Sequence, residues 1–461
     1  MKNINALKFV SNGVSAISLT KNGNCRSTHS ISLEYSYNGV DWSYWDLCAL
    51  TININNTLYI RGYNPSGLSY NDIFYIFAIE GDNVSCTGNI MSLIDYENLP
   101  DTIPCGICFY GLFENCAALT TAPELPATKL TRFCYSYMFS GCYSLVTAPE
   151  LPATELADYC YYRMFDGCSS LKTTPELPAT ELADSCYECM FAYCSTLTAV
   201  PELPATKLFD SCYSNMFSGC SSLIAAPELP ATNLAEHCYS NMFNRCSSLV
   251  VAPKLPATKL ADECYYQMFS GCASLKTVSS LLAPKLADGC YSYMFERCTS
   301  LTTAPELPAM RLADWCYDGM FSGCTSLTTA PELPATELLD SCYYRMFSCC
   351  SSLTIAPELP AMRLADWCYD GMFSGCTSLT TAPELLATIL KEWCYGEMFS
   401  GCTSLTTAPE LPAKRLVDFC YRSMFSECTA LIAKPELPAT ELANGCYYRM
   451  FKGCTLLKDE Q

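Results

Sequence analysis

Apolar positions in this chain follow two rules. From about residue 105 onward a Cys followed by an aromatic residue recurs every 26 residues, from Cys108 through Cys134 and Cys160 to Cys446, and a second Cys stands eight residues after each. In the unit around Cys160 the apolar side chains are Cys160, Tyr161, Met164, Phe165 and Cys168, at i, i+1, i+4, i+5 and i+8. The unit before it repeats the set as Cys134, Met138, Phe139 and Cys142. This spacing predicts one face of a short helix, with Asp158 at its N-cap and Gly167 near its end. Leu171, Pro175, Leu177 and Pro178 follow in a stretch whose prolines forbid a long helix. Each unit therefore reads as one short strand, a Pro-Ala-Thr turn and one short helix, the strands stacking into a parallel sheet opposite the helices.

Self-similarity at a fixed period of this length signals a solenoid, because one such unit cannot bury its apolar face alone. The Phe column from Phe113 to Phe451 is unbroken across fourteen units, and Met precedes it in all but the first, where Leu112 stands. Core packing accounts for this stripe. Residues 308–333 and 360–385 are identical, which points to recent duplication of units. Fourteen strands at about 4.8 Å each would make a sheet on the order of 65 Å along its edge.

Residues 1–90 obey the second rule, a period of two. Val14–Leu19, Ser30–Tyr37, Leu50–Ile54, Thr57–Tyr63 and Ile73–Ile79 alternate or are rich in β-formers, and turn signals such as Asn38-Gly39 and Asn64-Pro65-Ser66-Gly67 separate them. An all-β sandwich of the immunoglobulin-like type is expected there. Residues 91–104 would form a junction or N-terminal cap, and residues 105–461 an α/β-type, leucine-rich-repeat-like solenoid of about fourteen 26-residue units.

Composition narrows the function. The formal net charge of −19 leaves no basic footprint, so nucleic acid is a poor partner. No apolar run approaches the ~20 residues that span a bilayer, so membrane insertion is not expected. Polar residues interrupt every apolar stretch of Met1–Gly13, so no secretory leader is read there. At the other end Lys458–Gln461 either serve as a minimal cap or mark an interrupted array. The 34 cysteines suggest a disulfide scaffold until their columns are considered. Eight helical residues span about 12 Å, too far for a bridge within a unit. Most of these cysteines are expected to be small, reduced core residues.

The run Met-Phe-x-Gly-Cys-x-Ser-Leu, as in Met216–Leu223 and Met398–Leu405, resembles the core of BspA-like leucine-rich repeats of bacterial surface proteins. The likeness recurs fourteen times over about three-quarters of the chain. The unit here is a few residues longer, through its Pro-Glu-Leu-Pro-Ala-Thr insert. The resemblance implies a leucine-rich-repeat-like solenoid, at a cell surface or secreted, that binds host proteins or other cells.

Among residues that could carry chemistry, the Glu of Pro-Glu-Leu forms a column: Glu124, Glu150, Glu176, Glu202, Glu228, Glu306, Glu332, Glu358, Glu384, Glu410 and Glu436, interrupted by Lys254 and Ser280. Stacked about 5 Å apart, such carboxylates repel by about 1 kcal/mol even in a water-like medium. They form either a candidate binding stripe for a basic partner or a solvated face kept polar for solubility. The residue after Thr varies (Lys129, Glu155, Asn233, Arg311, Ile389), as do the two positions between Tyr and Met (Tyr162-Arg163, Asp318-Gly319, Gly396-Glu397). Specificity could reside there. Cys105-x-x-Cys108 and Cys186-x-x-Cys189 share the spacing of zinc and redox sites, but one member of each belongs to a core column and no His pair is near, so coincidence explains them. Two histidines, His29 and His237, lie in no catalytic motif, and no phosphate loop occurs. No catalytic residue, metal or cofactor is expected. The sequence thus points to a non-catalytic binding or adhesion protein whose partner is a protein or glycan on a cell or matrix surface. The alternatives are a bacteriophage virion protein (fibre or decoration) and a structural spacer for the N-terminal domain.

Overall fold

The computed structural model describes residues 4–22, 30–46, 51–69 and 73–457. The chain forms two compact units, Met1–Glu228 and Leu229–Gln461.

The first unit begins with eight strands: β1 (Leu7–Val10), β2 (Ala16–Asn22), β3 (Leu33–Ser36), β4 (Ser43–Tyr44), β5 (Ile52–Asn53), β6 (Thr57–Gly62), β7 (Phe74–Glu80) and β8 (Val84–Thr87). Burial alternates along β6 and β7, as the period of two requires. The strands form two antiparallel sheets, β4-β3-β6-β1-β8 and β5-β2-β7. Their inner faces meet through Phe9 on β1 and Phe77 on β7, with ring centroids 5.9 Å apart, and Trp45 stacks on Phe77 at 6.2 Å. A two-sheet architecture is therefore present. The immunoglobulin order is not: that fold places its first two strands side by side in one sheet, whereas here β1 and β2 belong to different sheets.

The sandwich runs directly into the repeats. A short 3-10 turn, Ile90–Leu93, is capped by Asn89, whose side chain accepts the Met91 N–H at 2.8 Å. β9 (Leu119–Thr121), in the first repeat, then pairs in parallel with β8 and extends the larger sheet. On the opposite side the Phe77 N–H of β7 donates to the Leu112 carbonyl, and the Phe113 ring packs 5.2 Å from Phe77. The first repeat thus continues the larger sheet and is tied to the smaller one by this hydrogen bond and ring contact.

The repeats contain no α-helix among the described residues, which corrects the strand-plus-helix expectation. The stretch expected to be helical is a ribbon of successive turns. In the unit around Cys134, alternate amides (Cys134, Ser136, Met138, Ser140, Cys142) donate three residues back along the chain. The intervening amides of Phe133, Tyr135, Tyr137, Phe139 and Gly141 donate to carbonyls 25 residues ahead, in the next repeat. Every fourth residue has a positive φ: Phe133 (56°), Tyr137 (56°) and Gly141 (72°). The physical reason lies in the sequence period. A helix advances 100° per residue, so i, i+4 and i+8 would drift by about 80°, whereas a turn every four residues keeps them in line. Left-handed backbone costs an L-residue about 1–2 kcal/mol, and the inter-repeat hydrogen bonds compensate. Gly167, expected to end a helix, is one of these left-handed positions, and Tyr193 occupies the equivalent place at 57°.

The stacked extended segments are also sparer than a parallel sheet. Thr121, Thr147 and Thr173 join by isolated parallel bridges in the first unit, as do Thr303, Thr329, Ile355 and Thr381 in the second. The prolines of Pro-Glu-Leu-Pro have no N–H to donate, so longer ladders cannot form. The interior consists of columns. Phe113, Phe139, Phe165, Phe191 and Phe217 stack at 5.4–5.8 Å in the first unit. Phe243 through Phe451 do so in the second, and parallel Tyr columns accompany both. Cys134, Met138, Phe139, Cys142, Cys160, Met164, Phe165 and Cys168 are all fully buried.

The cysteine columns have a defined part in this packing. Cys142 Sγ donates to the Phe113 carbonyl at 3.1 Å, and the same contact recurs from Cys168 to Phe139 and from Cys324 to Phe295. A thiol supplies small apolar bulk together with a weak donor, which this site requires. No disulfide links the described cysteines.

Candidate binding surface

Each Glu of the Pro-Glu-Leu column is exposed: Glu124, Glu150, Glu176, Glu202 and Glu228 in the first unit, and Glu306, Glu332, Glu358, Glu384, Glu410 and Glu436 in the second. Local sequence dictates this. Leu125 and Ala127 face inward at 2% and 1% exposure, so the residues between and before them face solvent. Adjacent repeats leave a shallow cleft between these segments. Pro123, Glu124, Pro149 and Glu150 line one of about 530 Å³ in the first unit. Two more lie in the second: Glu306 and Glu332 line one of about 480 Å³, and Glu384 and Glu410 one of about 450 Å³. Each is walled by prolines, whose fixed φ holds its shape without a ligand.

The column after Thr forms a separate line of side chains. Lys129 pairs with Glu155 at 2.8 Å and Arg415 with Glu441 at 2.8 Å, each pair joining adjacent repeats. Beside it runs a column that sequence reasoning reduced to a helix cap. Asp262 Oδ1 accepts the Asp288 N–H at 3.1 Å, and Asp288, Asp314, Asp340 and Asp366 each accept the corresponding amide one repeat further on, at 2.9–3.2 Å. The capping chemistry expected of Asp158 therefore operates in this column, but between repeats rather than along one turn. Burial first, with the neighbouring Asp288 and Asp340 adding to it, raises the Asp314 carboxyl above its ordinary range. The Asp standing two residues before Cys264, Cys290, Cys316, Cys342 and Cys368 was the signal that could have revealed this ladder.

The two variable positions between Tyr and Met converge in the second unit on one polar cluster. Asp318 and Asp370, two repeats apart, flank Arg345, and each has a buried carboxylate oxygen without a hydrogen-bond partner among the described residues. Asp370 is 3% exposed. Burial pushes its carboxyl up to about 8, the nearby Glu397 adds to the rise, and Arg345 and Arg422 oppose it. Burial likewise raises Asp318 to about 7, against hydrogen bonding from Tyr293. Arg345 reaches Glu397 at 3.9 Å across Gly371. Next to this cluster Trp367 stacks on Trp393 at 4.5 Å and Trp393 on Phe419 at 4.9 Å, with the Arg422 guanidinium 4.7 Å over the Trp393 ring. Trp315 is half-exposed in the same column. In the first unit Tyr162 and Arg163 hold the matching positions, where Arg163 pairs with Asp166 at 3.3 Å.

His237 lies 3.4 Å from Glu263 on the surface of the second unit, and His29 is outside the described residues, as are Lys458–Gln461. No group of three His, Cys, Asp or Glu able to hold a metal occurs among the described residues. No helix among the described residues is long and apolar enough to cross a membrane.

A stacked array with a Met-Phe core, aromatic ladders and an inter-repeat hydrogen-bond network defines a repeat solenoid. The model of the BspA type leucine rich repeat region matches residues 109–250, 164–302, 239–380 and 316–432, together more than half of the chain, and the chain belongs to that family. No curated protein and no solved structure matches it.

Proposed function

We propose that this protein is a non-catalytic adhesion module that presents acidic repeat surfaces to a protein or glycan on a cell or matrix surface. The observation that carries this reading is the recurrence of one glutamate-lined, proline-walled cleft in both units. A stripe of identical weak sites favours multivalent attachment, in which each further contact is made at high effective concentration. The exposed carboxylates select a cationic partner and speed its approach at low salt. The variable cluster around Arg345, Asp370 and Trp367 adds discrimination where the stripe alone offers none. A place at the cell surface or outside the cell accords with the family.

Beads coated with the full chain, and with a variant carrying Gln at Glu306, Glu332, Glu358, Glu384, Glu410 and Glu436, are scored for attachment to epithelial monolayers and to extracellular matrix at low and high salt. Attachment that falls with both charge removal and salt supports the stripe. Attachment that neither affects places binding elsewhere, and no attachment by the wild-type chain removes the proposal.

A further inference from the structure

We propose that Cys105 and Cys108 form a reducing dithiol that exchanges with the disulfide of a partner molecule. The argument starts from the turn Asn64-Pro65-Ser66-Gly67, closed by the Gly67 N–H donating to the Asn64 carbonyl at 2.8 Å. Gly67 has φ +98°, and a Cβ there would lie 2.2 Å from Cys105 Sγ and 3.4 Å from Cys108 Sγ. Glycine at this point makes room for two sulfurs at once. The chain turns through Gly106 and Ile107, so the two cysteines occupy the ends of a tight turn, a separation within the reach of a disulfide.

The two thiols differ in surroundings. Cys108 is 2% exposed and takes the core-column position, while Cys105 is only half-buried. The Ser69 hydroxyl lies 3.4 Å from Cys105 Sγ and 2.9 Å from the Gly106 carbonyl, so its hydrogen can turn to either. Hydrogen bonds from Cys108 first, and from Ser69 in support, hold the Cys105 thiol down to about 6 against the opposing effect of burial. Burial drives the Cys108 thiol well above its ordinary range. Cys105, the less buried of the two, therefore favours its thiolate at neutral pH, and burial favours the protonated thiol at Cys108. The second Cys-x-x-Cys pair shows that spacing alone does not produce this. Cys186 and Cys189 are both buried, and burial pushes Cys189 up to about 12.

The chemistry balances as follows. The Cys105 thiolate attacks one sulfur of R–S–S–R′, forming Cys105–S–S–R and releasing R′–S⁻. Cys108 then gives its proton to solvent and attacks Cys105 Sγ, closing the Cys105–Cys108 bond and releasing R–S⁻. Two electrons pass from the dithiol to the disulfide, and no other reactant is consumed.

The test uses the full native chain with Cys349, an exposed cysteine outside both repeating columns, replaced as Cys349→Ser. Dithionitrobenzoate is added at pH 7, followed by peptide mapping. A fast phase releasing two thionitrobenzoate equivalents and leaving a Cys105–Cys108 disulfide is expected, its rate rising through a midpoint near pH 6. Cys108→Ser should release one equivalent and retain the adduct on Cys105. Cys105→Ser should slow the fast phase at least 10-fold. Because Cys108 is buried, the mapped disulfide in the otherwise wild-type chain keeps the test valid if Cys108→Ser does not fold. Oxidised glutathione and insulin as oxidants separate a small-molecule from a protein partner, and reaction with neither sinks the proposal. So does a fast phase that persists in Cys105→Ser, or an adduct that stays on Cys105 in the chain that retains Cys108.

Discussion

Replacing Phe321 by Ala probes the column architecture most directly. The ring is fully buried, stacked 5.7 Å from Phe295 and 5.6 Å from Phe347, with interplanar angles of 10° and 6°. Truncating a buried Phe costs about 3–5 kcal/mol in lost transfer energy and residual cavity, and each aromatic contact is worth about 0.5–1.5 kcal/mol of that kind of loss. A value near 4 kcal/mol corresponds to about three orders of magnitude in an opening equilibrium. A repeat contacts only its neighbours, so the loss should be local. Hydrogen exchange read by mass spectrometry on the full chain should show protection falling about 1,000-fold for amides between Phe295 and Phe373, with the amides of β6 and β7 unchanged. Phe321→Leu keeps most of the volume and should cost about 1–2 kcal/mol. The pair Phe321→Ala and Phe347→Ala should be non-additive by about 0.5–1.5 kcal/mol, since each loses the other's ring. A fall of less than tenfold, or an equal fall in the N-terminal sheets, would refute the view that stacked columns carry the stability of the repeats.

Other substitutions test separate parts of the same reasoning. Asp370 has a folded value of about 8 against an ordinary 3.8, so the stability it contributes is greatest below about 4 and is lost as pH climbs to about 8. Asp370→Asn should flatten that decline and raise stability at pH 7.5 by a few kcal/mol, on the order of what such a shift allows, as read from urea melts across pH; an unchanged pH profile would count against its burial as a charge. Cys349 sits at φ +59° where Gly323 and Gly375 hold the same place, so Cys349→Gly should stabilise by about 1 kcal/mol. Asp340→Ala should cost about 1 kcal/mol by freeing the Asp366 amide, while Asp340→Asn keeps the acceptor and removes like-charge repulsion; equal losses in both would mean that charge, not the hydrogen bond, matters in the ladder.

Much of this was legible in the sequence. The period, the inward columns and the exposed Glu stripe follow from side-chain type and spacing alone, and Cys134, Met138 and Phe139 are buried. The conformation of the turn ribbon was not. Apolar residues at i, i+1, i+4 and i+5 suit both a helix and a chain that turns every four residues. The distinction lay in the positive-φ positions, where residues such as Phe133, Arg163, Trp315 and Glu397 outnumber Gly. Tertiary hydrogen bonding overrides local preference there, and no single repeat advertises it. The short strands β1, β4 and β8 escaped notice because two to four residues carry too little alternation. The cluster of Asp318, Arg345 and Asp370 was foreshadowed only as variable columns, since ladder contacts between residues 25 to 27 apart become visible only once repeats are stacked.

The junction at β8 and β9 also bears on how such a chain is made and remade. Synthesis delivers the two-sheet region first, and its open edges at Val84–Thr87 and Phe77 already present the donors and acceptors to which the first repeat binds. It serves as a template, and each finished module offers its successor the same pattern of amides and ring faces. Accretion of this sort tolerates gain or loss of whole 26-residue modules, as the identical copies at 308–333 and 360–385 record, whereas a single inserted residue would scramble every later pairing. A lineage can therefore lengthen its array by recombination without redesigning how it folds.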